Sequence, residues 1–196
     1  MVTPEMIYEA KVTLHNLLLT KWLNQELFSL KWWGVIAFII FSYVLWFSLL
    51  DKRRFTQILL FGSLMTVGVS IFDAFGAGFN FWTDETHVLP MTPSYLLYSM
   101  TVIPTYYMLV YQYSPNWKRF VLWNTVAAGV ISVIFLPVLV ALDIMNFHNW
   151  IPLYHFPFNF IFGLVARKVM LVTLEGEKAK LALGKSSAVA EERTEP

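Results

Sequence analysis

The stretch "WWGVIAFIIFSYVLWFSLLDKRR", residues 32–54, sets a long uncharged run directly before a cluster of basic side chains. A helix that crosses the hydrocarbon core of a bilayer needs about 20 mainly apolar residues, and cytoplasmic loops are enriched in Lys and Arg. Residues 32–50 meet the first condition, and Lys52, Arg53 and Arg54 meet the second. Composition agrees. Of the 196 residues, 57% are hydrophobic, 17% aromatic and 14% charged, against about 25% charged in a soluble domain. Too few polar side chains remain to cover a water-facing surface. The formal net charge is +1, so no basic field draws nucleic acid to the chain. Cysteine is absent, which excludes disulfides, thiol catalysis and thiolate metal sites.

Four more runs follow: "FTQILLFGSLMTVGVSIFDAF" (55–75), "PSYLLYSMTVIPTYYMLVYQY" (93–113), "FVLWNTVAAGVISVIFLPVLVAL" (120–142) and "WIPLYHFPFNFIFGLVA" (150–166). The last is short, reaching about 25 Å against a hydrocarbon core of roughly 30 Å. The expected fold is an all-α integral membrane protein whose five transmembrane helices occupy residues 32–168. Pro104, Pro137 and Pro157 fall in spans three, four and five, where each frees a carbonyl and kinks its helix. No period of 20 to 50 residues repeats along the chain, and an odd number of spans suggests no inverted repeat.

Basic residues orient the bundle. "DKRR" (51–54) follows span one, "NWKR" (116–119) span three and "RK" (167–168) span five, while the loops after spans two and four contain neither Lys nor Arg. Of the 14 basic residues, only Lys11, Lys21 and Lys31 lie on the other side. The positive-inside rule therefore predicts a multi-pass protein of the cell membrane with its N-terminus outside and its C-terminus cytoplasmic. Residues 1–31 form a separate N-terminal segment. Ile7, Leu14, Leu17, Leu18 and Trp22 share one side of it, which predicts an amphipathic helix lying in the outer interface. Residues 169–196 turn polar and predict a cytoplasmic tail, mostly disordered at its end.

The same orientation gathers polar residues outside. Asp73 closes span two, and Asn80, Trp82 and Asp84 follow it. Asp143, His148, His155 and Asn159 belong to the second outer loop and the start of span five. These eight are the candidate ligand-binding residues. An ionisable side chain within a span is costly, so Asp73 should face the bundle and bond to a partner, with His155 and Asn159 the expected ones. Gly76 and Gly78 are expected to let the chain turn there. A solvated loop explains much of the remaining cluster, and Trp82 and Trp150 suit an interfacial aromatic belt. In span three, Tyr98, Thr101 and Thr105 share a side and, with Tyr106 and Asn159, either line a polar pocket or pack through interhelical hydrogen bonds. No compact metal-ligand spacing such as H-E-x-x-H occurs, so no metal is expected. Neither a phosphate-cradling loop, a glycine fingerprint nor a G-x-S-x-G elbow is present, so no cofactor is expected either.

The segment from Leu89 to Arg167 resembles an uncharacterised family of small multi-span membrane proteins common in spore-forming Gram-positive bacteria. The resemblance rests on Asp73 ending span two, Trp82 after it, Pro104 within span three, the inner loop "YSPNWKR" (113–119) and "HNW" (148–150) before the last span. It covers residues 32–168. The N-terminal segment and the polar tail depart from it. So does span four, uncharged from Val126 to Leu142, where family members carry an acidic residue. The resemblance implies the topology and no reaction.

Three classes of function fit these features. The first is a protein that binds, senses or scaffolds through its polar outer face, with membrane lipids and a lipid or small-molecule ligand as partners. The second is a membrane-embedded enzyme acting on a lipid or isoprenoid, with Asp73 and the outer-loop carboxylates as proton donors. The third is a small-solute transporter.

Overall fold

The computed structural model describes residues 1–90 and 98–192. Its helices are α1 (Pro4–Lys21), α2 (Leu30–Leu49), α3 (Phe55–Gly78), α4 (Ile103–Tyr113), α5 (Trp117–Val130), α6 (Leu136–Ala141) and α7 (His155–Glu192). Two three-residue strands, β1 (Trp82–Asp84) and β2 (Met145–Phe147), are the departure from an all-helical chain among the described residues. Among the described residues, four helical stretches are long and apolar enough to cross a membrane: Leu30–Leu49, Lys52–Gly78, Trp117–Ala141 and Pro152–Glu177. Of the expected third span, residues 98–113 are helical and residues 93–97 lie outside the described residues.

The fifth expected span needs correcting. It is not short, because its apolar helix continues from Pro152 to Glu177. Arg167, which marks its expected end, is 5% exposed. Its guanidinium lies over the rings of Tyr111 and Phe120, at 4.9 and 5.2 Å, and donates to the Pro115 carbonyl. A guanidinium stacked on aromatic faces lets the helix run past a charge. Helix continues to Glu192. The sequence there, "EGEKAKLALGK", is rich in Ala, Leu, Glu and Lys, which are strong helix formers.

Side-chain burial runs inside out. Along α3, Ile58, Phe61, Met65 and Val69 point into the bundle, while Leu59, Leu60, Val67, Ile71 and Phe75 are exposed. An apolar stripe faces the core and another apolar stripe faces outward, as a bilayer requires. α3 packs against α4 and α7, and α5 packs against the same two, closing a four-helix ring; α2 lies outside it against α4. Asn124 ties α5 to α7 by donating to the Phe160 carbonyl at 2.9 Å.

Two prolines leave visible marks. Pro104 opens α4 and Pro137 opens α6, and each follows a π-helical turn, Tyr98–Val102 and Ile131–Phe135 respectively. A proline ring clashes with the carbonyl four residues earlier, so the widened turn sits where the clash would fall. Pro157 falls within the Pro152–Glu177 stretch, as expected, but in the first turn of α7, where proline is tolerated without a kink.

The chain also contains a repeat at 63 residues, longer than any period read from the sequence. α3 ends with Phe79, Asn80 and Phe81 donating backbone N–H groups to Phe75, Ala77 and Gly76. α6 ends with Leu142, Asp143 and Ile144 donating to Val138, Val140 and Leu139, each 63 positions later (142 minus 79). Asn80 and Asp143 both adopt left-handed backbone, with φ of 54° and 50°. A strand begins two residues after each, and β1 and β2 pair antiparallel. The closing bonds match as well: Glu85 N–H donates to Ile144 O at 2.8 Å, and His148 N–H to Phe81 O at 2.9 Å. The four-helix ring is thus two helix–strand–helix units related by a pseudo-two-fold axis through the strand pair.

Candidate functional site

Asp73 lies one turn before the end of α3, half-buried. Trp82 Nε1–H donates to its Oδ1 at 3.0 Å, and Ser99 Oγ–H donates to its Oδ2 at 3.0 Å. The expected bond to another element is present. Its donors, however, are a strand residue and a residue of the turn before α4, not His155 or Asn159. Trp82 is 3% exposed and so does not belong to an interfacial belt. The indole reaches the carboxylate because it crosses Gly76, where any Cβ would run into the ring. Gly76 is therefore required for close approach. The left-handed residue of the turn is Asn80, and among the described residues no glycine has positive φ.

Beneath the strand pair lies a nearly enclosed space of about 30 Å³, lined in part by Asp73, Asp84, Tyr98, Ser99, His155 and Asn159. Four of the eight candidate residues therefore meet here, and Trp82 borders them, its ring centroid 4.8 Å from that of His155. His155 Nδ1 accepts the Trp150 indole N–H at 3.1 Å. An imidazole nitrogen that accepts carries no proton, so His155 is neutral and its Nε2 bears the hydrogen. Tyr98 is 5% exposed, and its hydroxyl is buried without a hydrogen-bond partner. Thr105 donates to the Thr101 and Val102 carbonyls, so it packs within its own helix. Tyr106 faces elsewhere, into an apolar groove of about 520 Å³ between α2, α4 and α5.

The other three candidates lie apart. Asn80 is exposed and ends α3. Asp143 ends α6, its carboxylate exposed and 3.3 Å from Lys31 Nζ. His148 is exposed, with Nε2 3.0 Å from the Thr83 hydroxyl. Among the described residues, no three His, Asp or Glu side chains converge as metal ligands.

A second feature joins residues far apart in sequence. The segment from Lys21 to Trp32 is fastened over the loops that carry β1 and β2. Trp22 and Trp32 indoles donate to the carbonyls of His87 and Val88 at 3.1 and 3.2 Å. Glu26, 5% exposed, accepts the His87 backbone N–H at 2.7 Å and lies 3.0 Å from its Nδ1. Lys21 Nζ sits 3.2 Å from both Glu26 Oε1 and Glu85 Oε2. Burial by itself would lower the Lys21 pKa, but the hydrogen bonds and charges of Glu85 and Glu26 outweigh it and raise it. Beside this clasp opens a crevice of about 720 Å³, walled by Lys21, Glu26 and Lys31 on one side and by Glu85, Asp143 and Asn146 on the other. Met145 lines both the crevice and the enclosed space below it.

Glu26, Lys21, Lys31 and Ser99 are functional candidates that the sequence pattern does not reveal. Glu26 and His87 are 61 positions apart, and nothing local announces their pairing. No family model matches the chain, and neither a curated protein nor a solved structure matches it.

Proposed function

We propose that the chain is a five-span protein of the cell membrane, N-terminus outside and C-terminus cytoplasmic, that binds a small zwitterionic ligand on its outer face. The crevice between the clasp and β2 carries this reading. It is wide enough for a small molecule at about 720 Å³, within the usual range of ligand pockets. It presents ammonium groups on one wall and carboxylates on both. A ligand with both signs of charge, such as an ethanolamine phosphate, complements that pattern.

Several observations support the membrane arrangement. The basic segments come together at one end of the ring, where Arg54 donates to the Gln112 carbonyl and Arg167 to that of Pro115. The clasp and strand pair occupy the other end. The helix from Tyr98 to Tyr113 is antiparallel to α3 and buried in the ring, consistent with a fifth span and with the resemblance to small multi-span bacterial proteins. A lipid- or isoprenoid-processing enzyme is less well supported. Asp73 and Asp84 share only about 30 Å³, and the large apolar groove has no carboxylate or histidine in its lining.

Native mass spectrometry of the protein in nanodiscs tests the proposal. With phosphatidylethanolamine, the chain should retain one lipid that it does not retain with phosphatidylglycerol. The Lys21→Ala/Lys31→Ala variant should lose it. Displacement by free glycerophosphoethanolamine would assign the site to the headgroup chemistry alone. Equal retention of both lipids, or retention by the double variant, would overturn the reading.

A further inference from the structure

The outer crevice and the apolar groove share their walls. On α2, Leu30 and Lys31 line the crevice and Phe38 lines the groove. Lys31 and Phe38 are seven positions apart, so they lie on one face of the helix, about 10 Å apart along its axis. On the facing wall, Val140 and Asp143 line the crevice, and Phe135 and Val138 line the groove. Two contacts bridge the walls. Lys31 Nζ lies 3.3 Å from the Asp143 carboxylate, and the rings of Phe38 and Phe135 stack at 5.7 Å. Crevice and groove are therefore two levels of one fissure between α2 and the α5–α6 wall, with α4 as its floor.

The two levels differ in chemistry. The upper one is lined by lysines and carboxylates. Among the described residues, no charged side chain lines the lower one. Along the wall it runs from Val138 down to Trp123, 15 positions (138 minus 123), or about 22 Å. That exceeds half of the hydrocarbon core, which is roughly 30 Å thick. Its volume of about 520 Å³ lies in the usual range of ligand pockets. A hydrocarbon chain seated there touches α2, α4 and α5 together, whereas one lying on a single exposed helix touches protein on one side. Dispersion attraction grows with the number of such contacts. A charged head above and a hydrocarbon chain below is the division of a phospholipid.

We infer that the ligand of the crevice is a whole phospholipid, with its ethanolamine phosphate among Lys21, Lys31 and the facing carboxylates and one acyl chain laid down the groove. The inference rests on the headgroup reading above and adds the groove as the second half of the same site. The exposed Lys31–Asp143 pair gives way to the headgroup, since ion pairs in water hold weakly. The lipid enters sideways from the outer leaflet and never leaves the membrane.

Photo-crosslinking of the full chain in nanodiscs tests this, with a phosphatidylethanolamine that carries a diazirine midway along one chain. Labelled peptides should concentrate several-fold on α4 and α5 over the exposed face of α3 at Val67 and Ile71. Ala127→Phe and the more exposed Val130→Trp fill the groove and should each remove the enrichment. Val133→Trp, exposed outside the groove, should keep it. A phosphatidylglycerol probe, or the Lys21→Ala/Lys31→Ala variant, should also lose it. Free glycerophosphoethanolamine, which has no chain, should fail to displace the lipid. Even labelling of α3 and α5, enrichment that survives both groove-filling variants, or displacement by glycerophosphoethanolamine would overturn the inference and leave the headgroup reading standing. Enrichment indifferent to the headgroup and to the two lysines would overturn both.

Discussion

Thr83 and Asn146 face each other at the centre of the strand pair, and each occupies the other's place in the repeat, 63 positions apart (146 minus 83). The pseudo-two-fold axis therefore passes between them. Around it the two units keep the same backbone bonds and differ in chemistry: the position equivalent to Asp73 is Leu136. The polar cavity is lined by both halves of a nearly symmetric frame and takes its two carboxylates, Asp73 and Asp84, from the first.

The left-handed residues should behave alike. Asn80→Gly and Asp143→Gly should be tolerated, since glycine adopts positive φ without penalty. Asn80→Val and Asp143→Val should each cost about 1–2 kcal/mol, because a β-branched side chain fits left-handed backbone worse than Asn or Asp. Thermal unfolding of the four variants checks this, and a valine as benign as glycine at either position would contradict the shared turn geometry.

Gly76 and Gly78 should separate. A Cβ at Gly76 meets the Trp82 ring, whereas at Gly78 it meets nothing within 4 Å. Gly76→Ala should destabilise by about 1–3 kcal/mol through overpacking and displace the indole from Asp73. Gly78→Ala should be neutral or gain up to about 1 kcal/mol of helix propensity. Melting temperature and Trp fluorescence read both.

Asp73 substitutions should rank by the acceptors they keep. Asp73→Asn retains a carbonyl oxygen for one of its two donors. Asp73→Leu leaves the Trp82 N–H and the Ser99 hydroxyl both unmet, at about 1–3 kcal/mol each. The leucine variant should therefore give the lower yield of folded protein by size-exclusion chromatography. Equal yields would show that the two bonds contribute little.

The clasp should loosen in alkali. The Lys21 pKa is raised above its usual value of 10.5, so its stabilisation is fully present below that pH and is lost as pH rises through the folded-state value. Lys21→Met should melt lower than the parent at pH 8, and the difference should shrink above about pH 10.5. A difference constant from pH 8 to 11.5 would place the effect in packing rather than charge.

Orientation is open to labelling. Asn149 and Lys118 are exposed at opposite ends of the ring. In intact cells, a membrane-impermeant thiol reagent should modify Asn149→Cys and spare Lys118→Cys. The reverse pattern would invert the topology.

Much of the frame was legible because hydrophobic runs report length directly. "FTQILLFGSLMTVGVSIFDAF" announces α3, and Asp73 at its end announces a bonded acid. The partners were not legible, because spacing along a helix says nothing of what another segment brings over it. Trp82 looked like a belt residue until its indole was placed across Gly76. The fifth span looked short because Arg167 was read as a boundary, and only its stacking on Tyr111 and Phe120 shows how a charge stays inside. The repeat escaped notice because it is carried by backbone turns that asparagine and aspartate serve equally well, not by matching side chains.

Symmetry of this kind has a consequence for biosynthesis. The first unit leaves the ribosome with β1 unpaired, and its complement follows 63 residues later (146 minus 83). Until then, the strand edge could pair with the same edge of another nascent chain, Thr83 against Thr83, since the register permits either match. What favours the correct partner is the short connection between α4 and α5, Ser114 to Asn116, which keeps the second unit close to the first. Lengthening that connection with a flexible insert should trade monomers for intertwined dimers, without altering a residue in the bundle.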